Sequence, residues 1–209
     1  MEGYVSEEQQ VEAIKKWWKE NGVAVVSGVV LGLGILFGGR AWFDYKQVQA
    51  ENSSMTYSLM LQAVEVGKQD EAVQLGTALL ADGNSGEYAA MASLMLARIE
   101  VERGALEKAQ AHLQWVNDNA SLTGLSSVAT LRLARLLYMQ GDSDAALAKL
   151  ETVPSEGFAS AYSELKGDIY AAKGEADKAR AAYSIALATN GTSSFLQMKH
   201  DDLAAGDAK

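Results

Sequence analysis

Three glycines that recur at similar intervals constrain this chain more than any other feature of its sequence. Gly104, Gly141 and Gly174 are separated by 37 and 33 residues, spacings that are typical of helical-repeat proteins. Glycine adopts a left-handed backbone at little cost and therefore often ends a helix. Asp142 and Glu175 follow two of these glycines directly, and an acidic residue there suits the start of another helix. Each unit is predicted to be a helix, a tight turn and a second helix.

Small residues keep fixed distances from these glycines. A small residue stands seven positions before each glycine, and an alanine stands five positions after it. The repeat-defining residues are Ala97, Gly104, Ala109, Ala134, Gly141, Ala146, Gly167, Gly174 and Ala179. Small side chains let the two helices cross closely, and stacked hairpins bury the apolar face that a single hairpin leaves open. The sequence therefore predicts an all-α solenoid, in which Gly67 begins a degenerate earlier copy.

The order of these residues resembles the tetratricopeptide repeat. In that family a small residue, a glycine, an alanine and a large apolar or aromatic residue follow one another at such spacings. The copy at 162–190 matches the family pattern best. The early tryptophan and late proline of the family are missing, so the repeats are degenerate and an irregular helical bundle is the alternative interpretation.

An uncharged run of 19 residues, 21–39, precedes the repeats. As a helix it would extend about 28 Å, close to the ~30 Å hydrocarbon core of a bilayer. Basic and aromatic residues flank both ends, as is typical at membrane interfaces. They are Lys15, Lys16, Trp17, Trp18 and Lys19 before the run, and Arg40, Trp42, Phe43 and Tyr45 after it. The run predicts a transmembrane helix, with a buried core helix and a cleaved signal peptide as alternatives.

The basic residues beside the span predict its orientation. Three lysines precede it, whereas Arg40 and Lys46 follow it, which favours a cytoplasmic N-terminus. The predicted organisation is a cytoplasmic tail (1–20), a transmembrane helix (21–39), a membrane-proximal helix or linker (40–66) and a translocated repeat domain (67–209). In the tail, Ser6 begins a capping-box pattern at the start of a short helix.

The span also contains two pairs of glycines four residues apart. Gly28 pairs with Gly32 and Gly34 pairs with Gly38. Small residues at this spacing allow a second membrane helix to approach closely. The motif is weak because glycine is common in membrane spans, so these residues are candidates for membrane-helix packing only.

Charge and composition exclude several functions. The formal net charge of -9 disfavours nucleic acid, which requires a basic surface. The absence of cysteine excludes disulfides and thiolate metal sites. His112 and His200 have no ligand-like spacing with acidic residues, and no catalytic motif occurs. We therefore predict no enzyme, cofactor or metal site, and a membrane-tethered hydrolase is the rival hypothesis.

Tail, span and repeats together resemble the YfgM family, the ancillary subunits of the bacterial SecYEG translocon. The most specific stretch is residues 11–22, VEAIKKWWKENG, followed directly by the glycine-rich span, and residues 131–135, LRLAR, match as well. The resemblance covers essentially the full length. It implies a single-pass protein of the bacterial inner membrane, with a short cytoplasmic tail and a periplasmic tetratricopeptide-like domain.

The resemblance also implies partners and a role. Members of the family associate with the SecYEG translocon and with a membrane-anchored periplasmic chaperone of the prolyl-isomerase type. They are thought to pass emerging secretory polypeptides to periplasmic chaperones, and the tail is linked to restraint of a stress response regulator. The alternative is a scaffold of another envelope machine, for division or outer-membrane assembly. No catalytic residue carries over, because the family has no catalytic motif.

The change in composition at Arg40 leads to a prediction about truncation. Deletion of residues 1–40 is expected to release a folded, monomeric, soluble domain, because the apolar span is removed and the repeats keep their own core. Circular dichroism and size-exclusion chromatography of the truncated chain would check this. Aggregation or loss of the helical signal would contradict it.

Overall fold

The structure is a computed structural model that describes residues 7–81, 86–152, 156–190 and 193–206. It contains two compact units, one ending at Asn52 and the other beginning at Ser53. All regular elements within the described residues are helical. The all-α class predicted from the sequence is confirmed.

Nine α-helices and one 3-10 turn make up the regular structure of the described residues. In chain order they are α1 (Glu7–Glu65), α2 (Gln69–Ala81), α3 (Glu87–Glu102), α4 (Leu106–Asn119), α5 (Thr123–Met139), α6 (Ser143–Leu150), the 3-10 turn Glu156–Phe158, α7 (Ala159–Ala172), α8 (Ala176–Asn190) and α9 (Ser194–Gly206). Alanine and leucine are frequent in α2–α8, and both lose little side-chain freedom in a helix.

In the first unit, α1 presents an apolar surface that the protein does not cover. Almost all of its most apolar segment is exposed, including Val23 and Ile35, which are 82% and 74% accessible. A core helix would bury such side chains, whereas a bilayer covers them on every side. This segment is therefore a candidate membrane span. Ser6, where the predicted capping box begins, lies outside the described residues.

Four glycines form the turns between paired helices in the second unit. Gly67, Gly104, Gly141 and Gly174 have φ angles of 77°, 76°, 88° and 75°, a left-handed backbone that glycine adopts without strain. In each turn, the N–H of the next residue donates to the carbonyl five positions before it, at 2.8–3.0 Å. This hydrogen bond is the mark of a Schellman C-cap, which satisfies a carbonyl that the helix end would otherwise leave open.

The small repeat residues lie where paired helices touch. Ala109, Ala134, Ala146 and Ala179 are fully buried and Ala97 is 2% accessible. Gly167 on α7 has the tightest contact, because an added Cβ would lie 2.3 Å from the Tyr183 ring on α8. The two helices can pack at this distance only because Gly167 has no side chain.

The core of the second unit consists of buried clusters that share helices with their neighbours. The first cluster joins the end of α1 with α2 and α3, and the second joins α3, α4 and α5. The third joins α5, α6 and α7, and the fourth joins α8 and α9 with side chains of α7. Each odd-numbered helix from α3 to α7 thus contributes to two clusters, which is how a stack of repeats buries a continuous core.

The repeat unit begins earlier in the structure than the predicted domain start at residue 67. The compact unit starts at Ser53, and the last turns of α1 belong to its core. Met60 is fully buried and Ala63 is 3% accessible, and both pack in the cluster that contains Ala72 of α2. The end of α1 therefore acts as the first helix of a hairpin whose second helix is α2.

The contact between α7 and α8 gives a matched pair of substitutions. Gly167→Ala is expected to lower the free energy of unfolding by about 1–3 kcal/mol, because the new methyl group overlaps the Tyr183 ring. Gly124→Ala on α5 is the control. A Cβ there meets nothing within 4 Å, so its expected effect is a gain of about 0.4–1 kcal/mol. Urea denaturation of both variants measures the difference, and equal midpoints would contradict the packing described here.

Candidate functional site

The glycines proposed for membrane-helix packing are all on the described part of α1. At Gly28, Gly32, Gly34 and Gly38 an added Cβ would meet no other atom within 4 Å. No side chain among the described residues therefore covers the helix surface at these four glycines. A packing role for these glycines stays a prediction.

A groove of the second unit lies between α3 and α5, above Leu113 of α4. Its volume is about 400 Å³. The residues that line it are Ala97, Arg98, Val101, Glu102, Leu113, Arg132, Arg135, Leu136 and Met139, and together they are called the arginine groove below. Three guanidinium groups surround an apolar floor, in a chain whose net charge is -9.

Helical spacing places the groove residues of α5 on one face. Arg132, Arg135 and Met139 are separated by three and four positions, so their side chains share one side of the helix. Met139 is 74% accessible. On α3, Arg98 and Val101 are likewise three positions apart and form the opposite wall.

The cations of the groove are only partly neutralised. The Nε of Arg98 lies 2.9 Å from Oε1 of Glu102 on the same helix. Arg132 donates from Nη1 to the carbonyl oxygen of Leu94, at 3.2 Å, and a carbonyl carries no full charge. Among the described residues, Arg135 has no ion-pair or hydrogen-bond partner. The groove therefore has a local surplus of positive charge.

The pKa of Arg132 is affected by the surplus of positive charge in the groove. It is lowered from its ordinary value, first by burial and then by the positive charges of Arg135 and Arg98. Both causes act against the charged form. Arg132 stays protonated at any physiological pH, because the ordinary pKa of arginine is so high. Arg135 and Arg98 therefore both repel the positive charge of Arg132.

The boundary between α7 and α9 has the corresponding contact with the opposite charge. Asp168 stands six positions before Gly174, as Arg98 and Arg135 stand six positions before their own turn glycines. The Nζ of Lys199 on α9 lies 2.8 Å from Asp168 and 3.0 Å from Glu164. At this boundary a cation on α9 meets two carboxylates on α7.

A second cleft, between α4, α5, α6 and α7, is polar but already satisfied. Its volume is about 340 Å³. Ser126 and Thr130 both donate to Oδ1 of Asn117, at 3.1 and 3.0 Å, and Tyr162 donates to the carbonyl oxygen of Ser127 at 3.1 Å. These groups bond to one another, so the arginine groove is the better candidate for a ligand.

The two histidines lie apart from this groove. His112 on α4 has a lowered pKa, chiefly because it is partly buried. His200 on α9 places Nδ1 3.0 Å from Oδ1 of Asp201. Within the described residues, His, Asp and Glu side chains form no group of three that could hold a metal ion.

The arginine groove is not among the sites predicted from the sequence, where residues 131–135 stand out only for their family resemblance. A signal is nevertheless present, since arginine occupies the same position before the turn glycine in two consecutive repeats, at Arg98 and Arg135. Charged side chains on a helix usually face solvent, so this repetition alone does not indicate a binding site. The groove therefore becomes evident only when α3 and α5 are placed side by side.

Comparison with known proteins identifies similarities along the whole chain. The tetratricopeptide repeat-like domain family matches residues 15–205. Two relatives are each named an ancillary SecYEG translocon subunit. The one from Escherichia coli (strain K12) is 37% identical over 98% of this chain and 100% of its own length, and the one from Neisseria gonorrhoeae is 30% identical over 97% of this chain and 100% of its own length.

A solved structure shares the fold. The crystal structure of a thermophilic TPR protein from Thermus thermophilus aligns with a TM-score of 0.50 at 19% identity. The alignment covers 73% of this chain and 81% of that one. The tetratricopeptide-like architecture predicted from the repeat spacing is thus confirmed.

The positive surplus of the groove predicts an effect on stability. Arg135→Gln is expected to raise the free energy of unfolding by about 0.2–0.5 kcal/mol at low salt, because like charges one helical turn apart repel. The gain should shrink in about 1 M salt, which screens the repulsion.

Arg103→Gln provides the matched control for this measurement. Arg103 is outside the groove and pairs with Asp70 at 2.7 Å, so its loss is expected to destabilise the fold by about 0.2–1 kcal/mol. Urea denaturation of the full chain in detergent compares the two. If both variants lost stability equally, the description of the groove as unneutralised would be wrong.

Proposed function

The chain belongs to the YfgM family of ancillary SecYEG translocon subunits, and on that premise we propose that it serves the Sec protein-translocation channel as a membrane-anchored scaffold. In this role it hands secretory proteins to periplasmic chaperones. The observation that carries the proposal is full-length similarity to relatives of that name, combined with one exposed apolar helix and a repeat unit.

The proposed anchor would determine where such a scaffold acts. The exposed apolar segment of α1 would cross the inner membrane once, with residues 1–20 in the cytoplasm and the repeat unit in the periplasm. The three lysines before the span support this orientation. The interfacial side chains fit as well, because Trp42 and Phe43 beyond the apolar run are 60% and 74% exposed and suit the headgroup region.

The repeat unit would supply the holding surface. Stacked helical hairpins present an extended face to which other proteins bind, and the arginine groove lies between the first helices of two consecutive hairpins. Residues 40–209 carry 15 basic and 22 acidic side chains, a net charge of -7. This charge keeps the domain soluble and away from anionic lipid. A binding role accounts for these features without any catalytic group.

The finer parts of the proposal concern particular partners. We propose association with a membrane-anchored periplasmic chaperone of the prolyl-isomerase type, contact with emerging secretory polypeptides, and restraint of a stress response regulator by the cytoplasmic tail. A tetratricopeptide-like scaffold of a different envelope machine, for division or outer-membrane assembly, is the second candidate, since the fold alone is equally compatible with it.

Photocrosslinking from the span in native membranes tests the proposal. A crosslinking amino acid at Val29 or Leu33, which are 56% and 47% accessible, is expected to form adducts with translocon subunits or with a second single-span chaperone. Four residues turn the helix by about 400°, so both positions lie on one side of the span. Mass spectrometry of the adducts identifies the neighbours.

Leu31 provides a matched comparison on the opposite side of the span. It is 67% accessible and lies on the other side of the helix from Val29, because each residue turns the helix by about 100°. The glycines Gly34 and Gly38, three and seven positions further along, lie on the same side as Leu31, so protein adducts from Leu31 alone would indicate that the partner packs against the glycines. Protein adducts formed only with the chain itself, or only with an unrelated machine, would contradict the translocon assignment while leaving the anchored scaffold intact.

A further inference from the structure

We propose that the arginine groove binds a segment of a partner protein in which a carboxylate lies beside a large apolar side chain. The proposal rests on the scaffold function above and specifies the chemistry of what the repeat unit holds. It assigns Arg132 and Arg135 to the carboxylate and the apolar floor to the neighbouring side chain.

The charges of the groove call for an anion. Three arginines and one glutamate line it, and that glutamate, Glu102, is paired with Arg98. Two guanidinium groups therefore face the groove without a carboxylate. Guanidinium groups bind carboxylates through two parallel hydrogen bonds, and a carboxylate from a partner would relieve the repulsion among the arginines.

The boundary between α7 and α9 shows what the groove lacks. There, Lys199 of α9 reaches across to Asp168 and Glu164 of α7. Arg132 of α5 reaches across to α3 in the corresponding way, but the positions equivalent to Asp168 and Glu164 are Arg98 and Leu94. The same fold thus neutralises the cation internally at one boundary and leaves it for an external acid at the other.

The apolar floor distinguishes a protein segment from a free anion. Leu113 and Leu136 form the bottom of the groove, and Val101 and Met139 stand at its edge with 38% and 74% of their surface accessible. Inorganic phosphate would gain nothing from these side chains, whereas an apolar side chain would bury area against them. Methionine adapts its shape to different partners, which suits a groove that holds varied segments.

The size of the groove limits what enters it. A volume of about 400 Å³ is at the lower end of the range of small-ligand pockets. It has room for one large apolar side chain and the adjacent carboxylate. The groove therefore accommodates a short segment of a partner and is too small for a folded domain.

Selection from a random peptide library tests this chemistry directly. The probe is a library displayed on phage, and the target is the full chain held in a detergent micelle or nanodisc. The expected result is enrichment of peptides in which Asp or Glu adjoins Leu, Ile, Phe or Met. A labelled peptide from the enriched pool is then titrated by fluorescence anisotropy.

Two groove variants and a matched control complete the test. Arg135→Glu is expected to weaken binding of the labelled peptide by at least about tenfold, and Arg135→Gln by less, because charge reversal adds repulsion to the loss of the hydrogen bonds. Lys108→Glu makes the same charge change at an exposed residue of α4 that does not line the groove, and it should bind within about twofold of the unchanged chain. Circular dichroism confirms that each variant is folded.

Several outcomes would overturn the proposal. Enrichment of apolar peptides without acidic residues would do so, as would no enrichment at all. Binding that survives Arg135→Glu places the peptide elsewhere, and displacement by inorganic phosphate with no dependence on the apolar residues indicates a bare anion site. The crosslinking experiment on the span is independent of these results, so failure of the translocon assignment and failure of the groove assignment are distinguishable.

Discussion

The rest of the repeat unit depends on how closely its paired helices approach one another. Left-handed glycine turns reverse the chain within a few residues. Small residues on the facing helices then allow the two backbones to approach closely. At Gly167 the approach is so close that a single methyl group would overlap the Tyr183 ring. Without these contacts the hairpins would not stack in register, and the faces that line the arginine groove would not lie side by side.

The arginine groove is a consequence of the repeat rather than an addition to it. Stacking places the same position of each hairpin in a row, so one substitution in the repeat pattern changes the character of one site. At that position Asp168 forms an ion pair with Lys199, whereas Arg98 and Arg135 place positive charge in the groove. Arg98 and Arg135 repel the charge of Arg132, and such repulsion lowers the stability of the fold.

The helical class, the repeat turns and the apolar span are predictable from the sequence because each has a strong local signature. Glycine at a left-handed turn and alanine at a helix crossing are visible as spacings along the chain. The start of the repeat unit is harder to place, because Met60 and Ala63 lie on the same continuous helix as the apolar run and become core residues only through α2 and α3. The groove escapes prediction for a similar reason, since its walls come from helices separated by 20 residues or more.

The sharing of helices between neighbouring core clusters determines how the repeat unit responds to disturbance. A unit of this kind behaves as a one-dimensional array, whose stability is a sum of terms within hairpins and between adjacent hairpins. Damage in one hairpin then weakens its neighbours directly and more distant hairpins only weakly. The arginine groove has a hairpin on either side, α1–α2 before it and α7–α8 after it, so we expect a disturbance at α9 to change the groove only weakly.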